Sequence, residues 1–365
     1  MLRAFGAPHR YVQGPGALDQ LEALAGGHGA KRAFVIADAV VHELLRPRLE
    51  AGLGSLAANA TFAAFDGECT ADEIARLAQL AREAGADCIL GVGGGKAIDA
   101  AKGVRIAHGG ALFIVPTIAS NDSPTSRLVV VYTPQHVLHE VRTMPANPDL
   151  VLVDTEVLIA APERFFVSGV GDALSKKFEA AQCGASGGTN FYAARPPLLA
   201  TTIADACYDT IRNHAEPALA AVRARRVDEH FERTVEATIL LSGLAFENGG
   251  LSIAHSLTRG FSVVPGVADA LHGEQVAFGL LVQLVLEQRA ESFIDELVGF
   301  YRCIGLPCSL HDLGLRGDAQ QAARDIARDT WARAPYVRAL TSPVDEQRLA
   351  AAVLEAHALG SSGRR

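Results

Sequence analysis

The stretch Cys88–Asp99, CILGVGGGKAID, decides the fold. Cys88 to Val92 is an apolar run with the length of a buried strand, and Gly91-Val92-Gly93-Gly94-Gly95-Lys96 turns the chain. Ala97 to Ala107 then carries helical spacing. Glycines let a backbone approach a phosphate closely, and a helix start offers free N–H groups and the positive end of the helix dipole. The segment departs from both standard phosphate patterns. A P-loop needs Gly five residues before Gly95, where Leu90 stands, and Ser or Thr after the lysine, where Ala97 stands. A GxGxxG pattern starting at Gly91 fails at Lys96. A plain tight turn accounts for one or two glycines but poorly for three followed by a lysine. The segment therefore reads as a pyrophosphate cradle.

The same alternation extends outward on both sides. Ala33 to Ala37 (AFVIA) is a strand-type run ending at Asp38, and Thr70 to Glu83 places Ile74, Leu77, Ala78 and Ala81 at helical spacing. Ala111 to Val115 (ALFIV) is a further strand, and Leu128 to Tyr132 and Leu150 to Val153 are strand-like runs expected to extend the sheet. Strands alternating with helices predict a parallel sheet covered by helices. After about residue 160 the texture changes to long Ala/Leu-rich segments with helical periodicity: Leu198 to His214, Val227 to Phe246 and Gly273 to Gln288. The expected organisation is an α/β dinucleotide-binding domain over 1–162 and a helical domain over 163–365, divided near Pro162, with the tail from Gly360 (GSSGRR) frayed.

Composition narrows the function. Hydrophobic residues make up 49% and aromatic residues 6%, so small aliphatic side chains must build the core. The formal net charge of -8 opposes a polyanion-binding surface. The densest basic run, Arg223, Arg225 and Arg226, is followed at once by Asp228, Glu229 and Glu232, as on a solvated helix face. Nucleic acid is therefore not an expected partner, and neither is a membrane, because no apolar run reaches the length of a span. The six cysteines show no CxxC pair and no signal peptide precedes them, so reduced thiols and a cytoplasmic location are expected.

Asp38 stands at a strand end, where a carboxylate can accept hydrogen bonds from adenosine ribose hydroxyls and would repel a 2′-phosphate, favouring NAD over NADP. A helix N-cap fits the same position equally well. In the second half, Asp172 (in GVGD), His255 and His272 form a carboxylate and two imidazoles that suit zinc with an open position for substrate. Their wide separation leaves convergence open. Singly, each histidine reads as a satisfied structural residue, and Asp172, beside its glycines, as the cap of a helix start.

Five segments in order, Gly93–Asp99 (GGGKAID), Val115–Ser126 (VPTIASNDSPTS), Asn147–Asp149 (NPD), Gly169–Leu174 (GVGDAL) and His272–Glu274 (HGE), resemble the glycerol dehydrogenases of the iron-containing alcohol dehydrogenase superfamily, over nearly the whole chain. The resemblance implies an α/β N-terminal Rossmann-like domain, an all-α C-terminal domain (the dehydroquinate synthase-like fold) and a cleft between them. It further implies zinc on Asp172, His255 and His272, and NAD contacts at Asp38, Gly94, Gly95, Lys96, Asp99, Thr117, Ser120, Ser126, Leu128 and Tyr132. Asp122 matches the position that touches a substrate hydroxyl. The activity implied is NAD-linked, zinc-assisted oxidation of glycerol or a related small polyol to the hydroxyketone, by a homo-oligomer.

Related iron enzymes carry another His one turn after the ligand Asp, where this chain has Lys176, so the three-ligand arrangement is the better match. Lys177, Arg127 and the segment Val267–Leu271 also depart from the pattern and bear on the substrate. An inward-turned Arg127 would suit a relative that reduces 2-oxo acids, although a solvent-facing arginine is the plainer expectation. A dehydroquinate synthase-like lyase would need several basic groups for a substrate phosphate, and no such set stands out. A metal-binding relic that only docks a partner is disfavoured by the retained cofactor and metal positions.

Overall fold

Unbroken apolar runs separated by amphipathic stretches leave the chain one economical solution, strands buried between two helical layers. The computed structural model describes residues 1–362. In chain order it runs through β1 (Tyr11–Gly14), α1 (Leu21–Gly27), β2 (Ala33–Ala37), α2 (Ala39–Leu53), β3 (Thr61–Ala64), α3 (Ala71–Glu83), β4 (Cys88–Gly93), α4 (Gly95–His108), β5 (Ala111–Pro116), β6 (Leu128–Tyr132), β7 (Leu138–Thr143), β8 (Leu150–Asp154) and α5 (Thr155–Ile159). Six strands form one parallel sheet in the order β1-β8-β5-β4-β2-β3. Every residue of β2, β4 and β8 is buried, as two-sided coverage requires. Phe34, Ile36, Ile89 and Ile114 pack with α3 and α4, whereas Val35, Leu90, Val92 and Phe113 pack with α1 and α2 on the other face.

That division of faces positions the site. From β2 the chain steps one way to β3 through α2, and from β4 it steps the other way to β5 through α4. The carboxyl ends of the neighbouring β2 and β4 therefore frame a crevice at a topological switch point, where such sheets take ligands. Asp38 ends one strand and Gly93 the other.

Leu128–Tyr132 does not extend this sheet. It pairs antiparallel with β7, with Leu128 opposite Thr143 and Val130 opposite Val141. Only Val129 and Val131 are buried, the one-sided pattern of a hairpin laid against a core. The Val130 amide donates to Asp99 on α4 and fastens the hairpin there.

The remainder is helical: α6 (Glu163–Ala185), α7 (Leu198–Arg223), α8 (Glu229–Glu236), α9 (Ser242–Gly249), α10 (Ile253–Phe261), α11 (His272–Leu286), α12 (Glu291–Ile304), α13 (Ala319–Arg333) and α14 (Glu346–Ser361). Pro162 caps α6, and a π turn at Ala237–Leu241 joins α8 to α9. α6 and α11 lie deep and cross closely because both carry glycine at the contact. A Cβ on Gly171 would stand 2.6 Å from the Gly273 carbonyl, and one on Gly273 would run into the carbonyl of Ser168. The expected fraying at Gly360 is not what the structure shows. α14 continues through Ser361, with Gly360 packed on the Cys308 carbonyl too closely for any side chain. The last three residues of that tail, 363–365, lie outside the described residues. Among the described residues, no single helix is long and apolar enough to cross a membrane.

A candidate metal centre beside a dinucleotide crevice

Asp172 does not sit at a helix start. It lies in the middle of α6, and its neighbouring glycines serve packing instead: Gly171 meets α11, and a Cβ on Gly169 would run into the carbonyl of Ala119. Residues at i, i+4 and i+7 share one helix face, so Asp172, Lys176 and Glu179 point together from α6. All three are buried.

Glu179 builds the start of α10. Its Oε1 accepts from the amides of Ser252 and His255, each at 3.0 Å, satisfying N–H groups that a helix start leaves unpaired. Its Oε2 accepts from His255 Nδ1 at 2.5 Å. A carboxylate on Nδ1 fixes the proton there and turns Nε2 toward the centre as a lone-pair donor. His255 Nε2 lies 3.2 Å from Asp172 Oδ1. His272, the first residue of α11, comes within 3.8 Å of the same oxygen because Gly273 lets the helix dock on α6. One ligand atom from each of Asp172, His255 and His272 can be chosen so that all lie within 4.8 Å of one another. Asp172 Oδ2 is buried without a hydrogen-bond partner. Such an oxygen is costly unless a cation or donor meets it, so the donor set fits one divalent ion.

Protonation agrees with that fit. Against the effect of burial, Lys176 and His255 hold the Asp172 carboxyl well below the usual carboxylate range. His272 keeps about half of its side chain exposed, and desolvation of its inner side, with the neighbouring Lys176 ammonium, shifts it below the usual imidazole value. Replacing Glu179 with Gln would leave the shape and remove the charged acceptor. We expect metal affinity to fall roughly 10- to 100-fold, measured by competition with a chromophoric chelator; an unchanged affinity would reduce Glu179 to a packing residue.

Asp122 belongs to the loop after β5 and connects the two halves. Its Oδ2 accepts from Ser242 Oγ at 2.8 Å and lies 3.0 Å from Lys176 Nζ. Burial and the nearby Asp172 raise its carboxyl.

The crevice at the strand ends gathers seven of the ten residues expected there. Gly94 caps α4 without a side-chain bond, so the first amides of α4 are uncapped. A Cβ on Gly94 would stand 2.9 Å from Ile118, and one on Gly95 3.0 Å from Asn121. The Thr117 amide donates to the Gly93 carbonyl, and Ser120 follows in the same loop. Asp38 caps α2 through Oδ1, 2.9 Å from the Val41 amide, which leaves its second oxygen for a hydroxyl. Lys96 pairs with Glu68 at 2.7 Å and lies over the ring of Tyr132. The other three turn inward. Asp99, Ser126 and the Leu128 carbonyl converge on the buried ammonium of Lys102. Sequence reasoning passed over Lys102, Glu179 and Ser242. For the two charged residues, the spacings Asp99–Lys102 (i+3) and Asp172–Glu179 (i+7) were the available signal.

With this geometry in hand, residues 8–155 match the model of the iron-containing alcohol dehydrogenase family. Over 363 residues, the chain is 36% identical to the glycerol dehydrogenase of Citrobacter freundii, covering 99% of this chain and 98% of that one. The chain belongs to the iron-containing alcohol dehydrogenase family. It is also 40% identical to a glycolaldehyde reductase of Halobacterium salinarum over 88% of its length and 87% of that protein's. The crystal structure of a probable glycerol dehydrogenase from Sinorhizobium meliloti 1021 superposes with a TM-score of 0.92 at 39% identity, covering 99% of this chain and all of that one.

Among the departures from the family pattern, Arg127 is neither turned toward a substrate nor solvent-facing. Its guanidinium donates to the Phe191 carbonyl at 2.6 Å, lies 3.6 Å from Glu247 and covers the ring of Tyr192 at 4.0 Å. It ties the loop after Asp122 to the helical half and is not available for a substrate carboxylate.

Proposed function

We propose that this member of the iron-containing alcohol dehydrogenase family oxidises glycerol or a related small vicinal diol with NAD, at a zinc site formed by Asp172, His255 and His272. The observation that carries the reading is the convergence of those three side chains, braced by Glu179 and linked through Lys176 and Asp122 to the loop whose Asn121 lies against Gly95 at the uncapped start of α4. Bound in these places, zinc supplies Lewis acidity to a substrate hydroxyl and NAD supplies the acceptor for the carbinol hydride. The chain's own groups hold and orient. Asp122, fixed through Oδ2 by Ser242 and Lys176, keeps Oδ1 for the neighbouring hydroxyl, which favours diols over simple alcohols. The Gly94–Ala97 amides and the α4 dipole suit the pyrophosphate, and Asp38 the ribose.

Absorbance of NADH, followed with glycerol, other small diols and 2-hydroxy acids, tests this directly, together with glycolaldehyde in the reductive direction. Each substrate is tried with protein as prepared, after chelation and after zinc is restored. Glycerol- or diol-dependent NADH formation that disappears on chelation and returns with zinc is the expected result. Equal turnover by the metal-free protein, or turnover confined to hydroxy acids, overturns the proposal.

A further inference from the structure

Lys176 sits at the centre of the site and has no ligand role in the reading above. Its ammonium is fully buried, 2.6 Å from Asp172 Oδ1, 3.1 Å from His255 Nε2 and 3.0 Å from Asp122 Oδ2. An ammonium has three protons to donate, and here three acceptors surround it. Two of those acceptors belong to the proposed metal ligands. A divalent ion on Asp172 and His255 would stand beside a positive charge in a site with little water to screen the repulsion. The structure thus places a monovalent cation against the donor atoms that a divalent one needs.

We propose that Lys176 is a tethered counter-ion that holds the ligand set together in the metal-free protein and gives way when the metal enters, so that it weakens metal affinity and keeps the ion exchangeable. This rests on the zinc-site reading above. The third partner supplies the way out. Asp122 lies on a different element from the ligands, so the ammonium can keep one carboxylate while leaving Asp172 and His255. The Phe246 ring, 5.5 Å from Nζ, offers the ammonium a cation–π contact but no anionic acceptor. The bare Oδ2 of Asp172 fits the same picture, because the ammonium serves one oxygen of a carboxylate with room for a stronger partner. A purely structural ion pair would behave in the opposite way: removing it would loosen the ligands and lower metal affinity or leave it unchanged.

The test compares wild type, Lys176→Gln (which retains a donor) and Lys176→Met in metal-free form, measuring zinc and cobalt affinity by chelator competition and melting temperature with and without zinc. The expected result is at least a tenfold tighter dissociation constant in the neutral variants. They should also melt lower than wild type without metal and gain more from zinc. Wild type that binds zinc with variants that bind equally or more weakly overturns the role of Lys176 and leaves the zinc site standing. Failure of all three proteins to bind zinc or cobalt overturns both.

Discussion

Asp172→Ala should lower kcat/KM for the alcohol by at least about a thousandfold. Loss of an electrophilic centre forfeits several kcal/mol of transition-state stabilisation, at about 1.4 kcal/mol per decade of rate. Asp172 is the shared partner of the cluster. Lys176 Nζ, His255 Nε2 and His272 Nε2 all lie within 3.8 Å of its Oδ1. Removing it strips the site of the anion that both a metal and the buried ammonium require. Breaking a buried pair from one side costs about 3–5 kcal/mol; Asp122 remains for Lys176 here, which points to the low end of that range. Two measurements check the prediction, metal content with steady-state kinetics and the urea midpoint. Asp172→Asn separates the effects, since it keeps the side-chain shape while removing the charge. A variant that retained its metal and stayed within tenfold of wild-type turnover would rule out Asp172 as a ligand.

How much of this could be read beforehand depended on how each element is buried. β2, β4, β5 and β8 were legible because strands covered on both faces must be apolar without interruption. β1 and β3 were not, since they form the sheet's edges and carry Gln13 and Thr61 in runs of four residues. Leu128–Tyr132 announced itself as a strand, but composition says nothing about which strand it will pair with. The glycines before Asp172 suggested a helix start because their actual purpose, close passage of α11 and of the Ala119 loop, is a tertiary fact. The same limit applies to the centre. Residue type nominates Asp172, His255 and His272 as ligands. Whether they meet is decided by Gly273, which sets the distance between two helices a hundred residues apart in sequence, roughly. Glu179 drew no notice and Lys176 stood out only as a departure from the ligand pattern, because the burial of one face of α6 is a tertiary fact.

Lys102→Met is expected to destabilise the fold by about 3–5 kcal/mol, as breaking one side of a buried ion pair does, and to weaken NAD binding along with it. The Lys102 ammonium has no solvent exposure and reaches the Ser123 carbonyl at 2.7 Å, the Leu128 carbonyl at 2.8 Å and Asp99 Oδ1 at 3.2 Å, with the hydroxyls of Ser123 and Ser126 at 3.2 and 3.3 Å. Methionine fills similar space but donates nothing, so it leaves a buried carboxylate and two carbonyls without their cation. Asp99 in turn orients Ser123 and the Val130 amide, so the disturbance passes from α4 into the loop that carries Asp122 and into the β6–β7 hairpin. The two readouts distinguish alternatives. If the network only stabilises, urea unfolding shifts while the KM for NAD measured well below the transition does not. If it also shapes the crevice, both change, and Lys102→Gln, which restores a donor, recovers part of each. A methionine variant as stable as wild type, with unaltered NAD affinity, would show that the loop is held from the helical side instead, through Arg127 and Glu247.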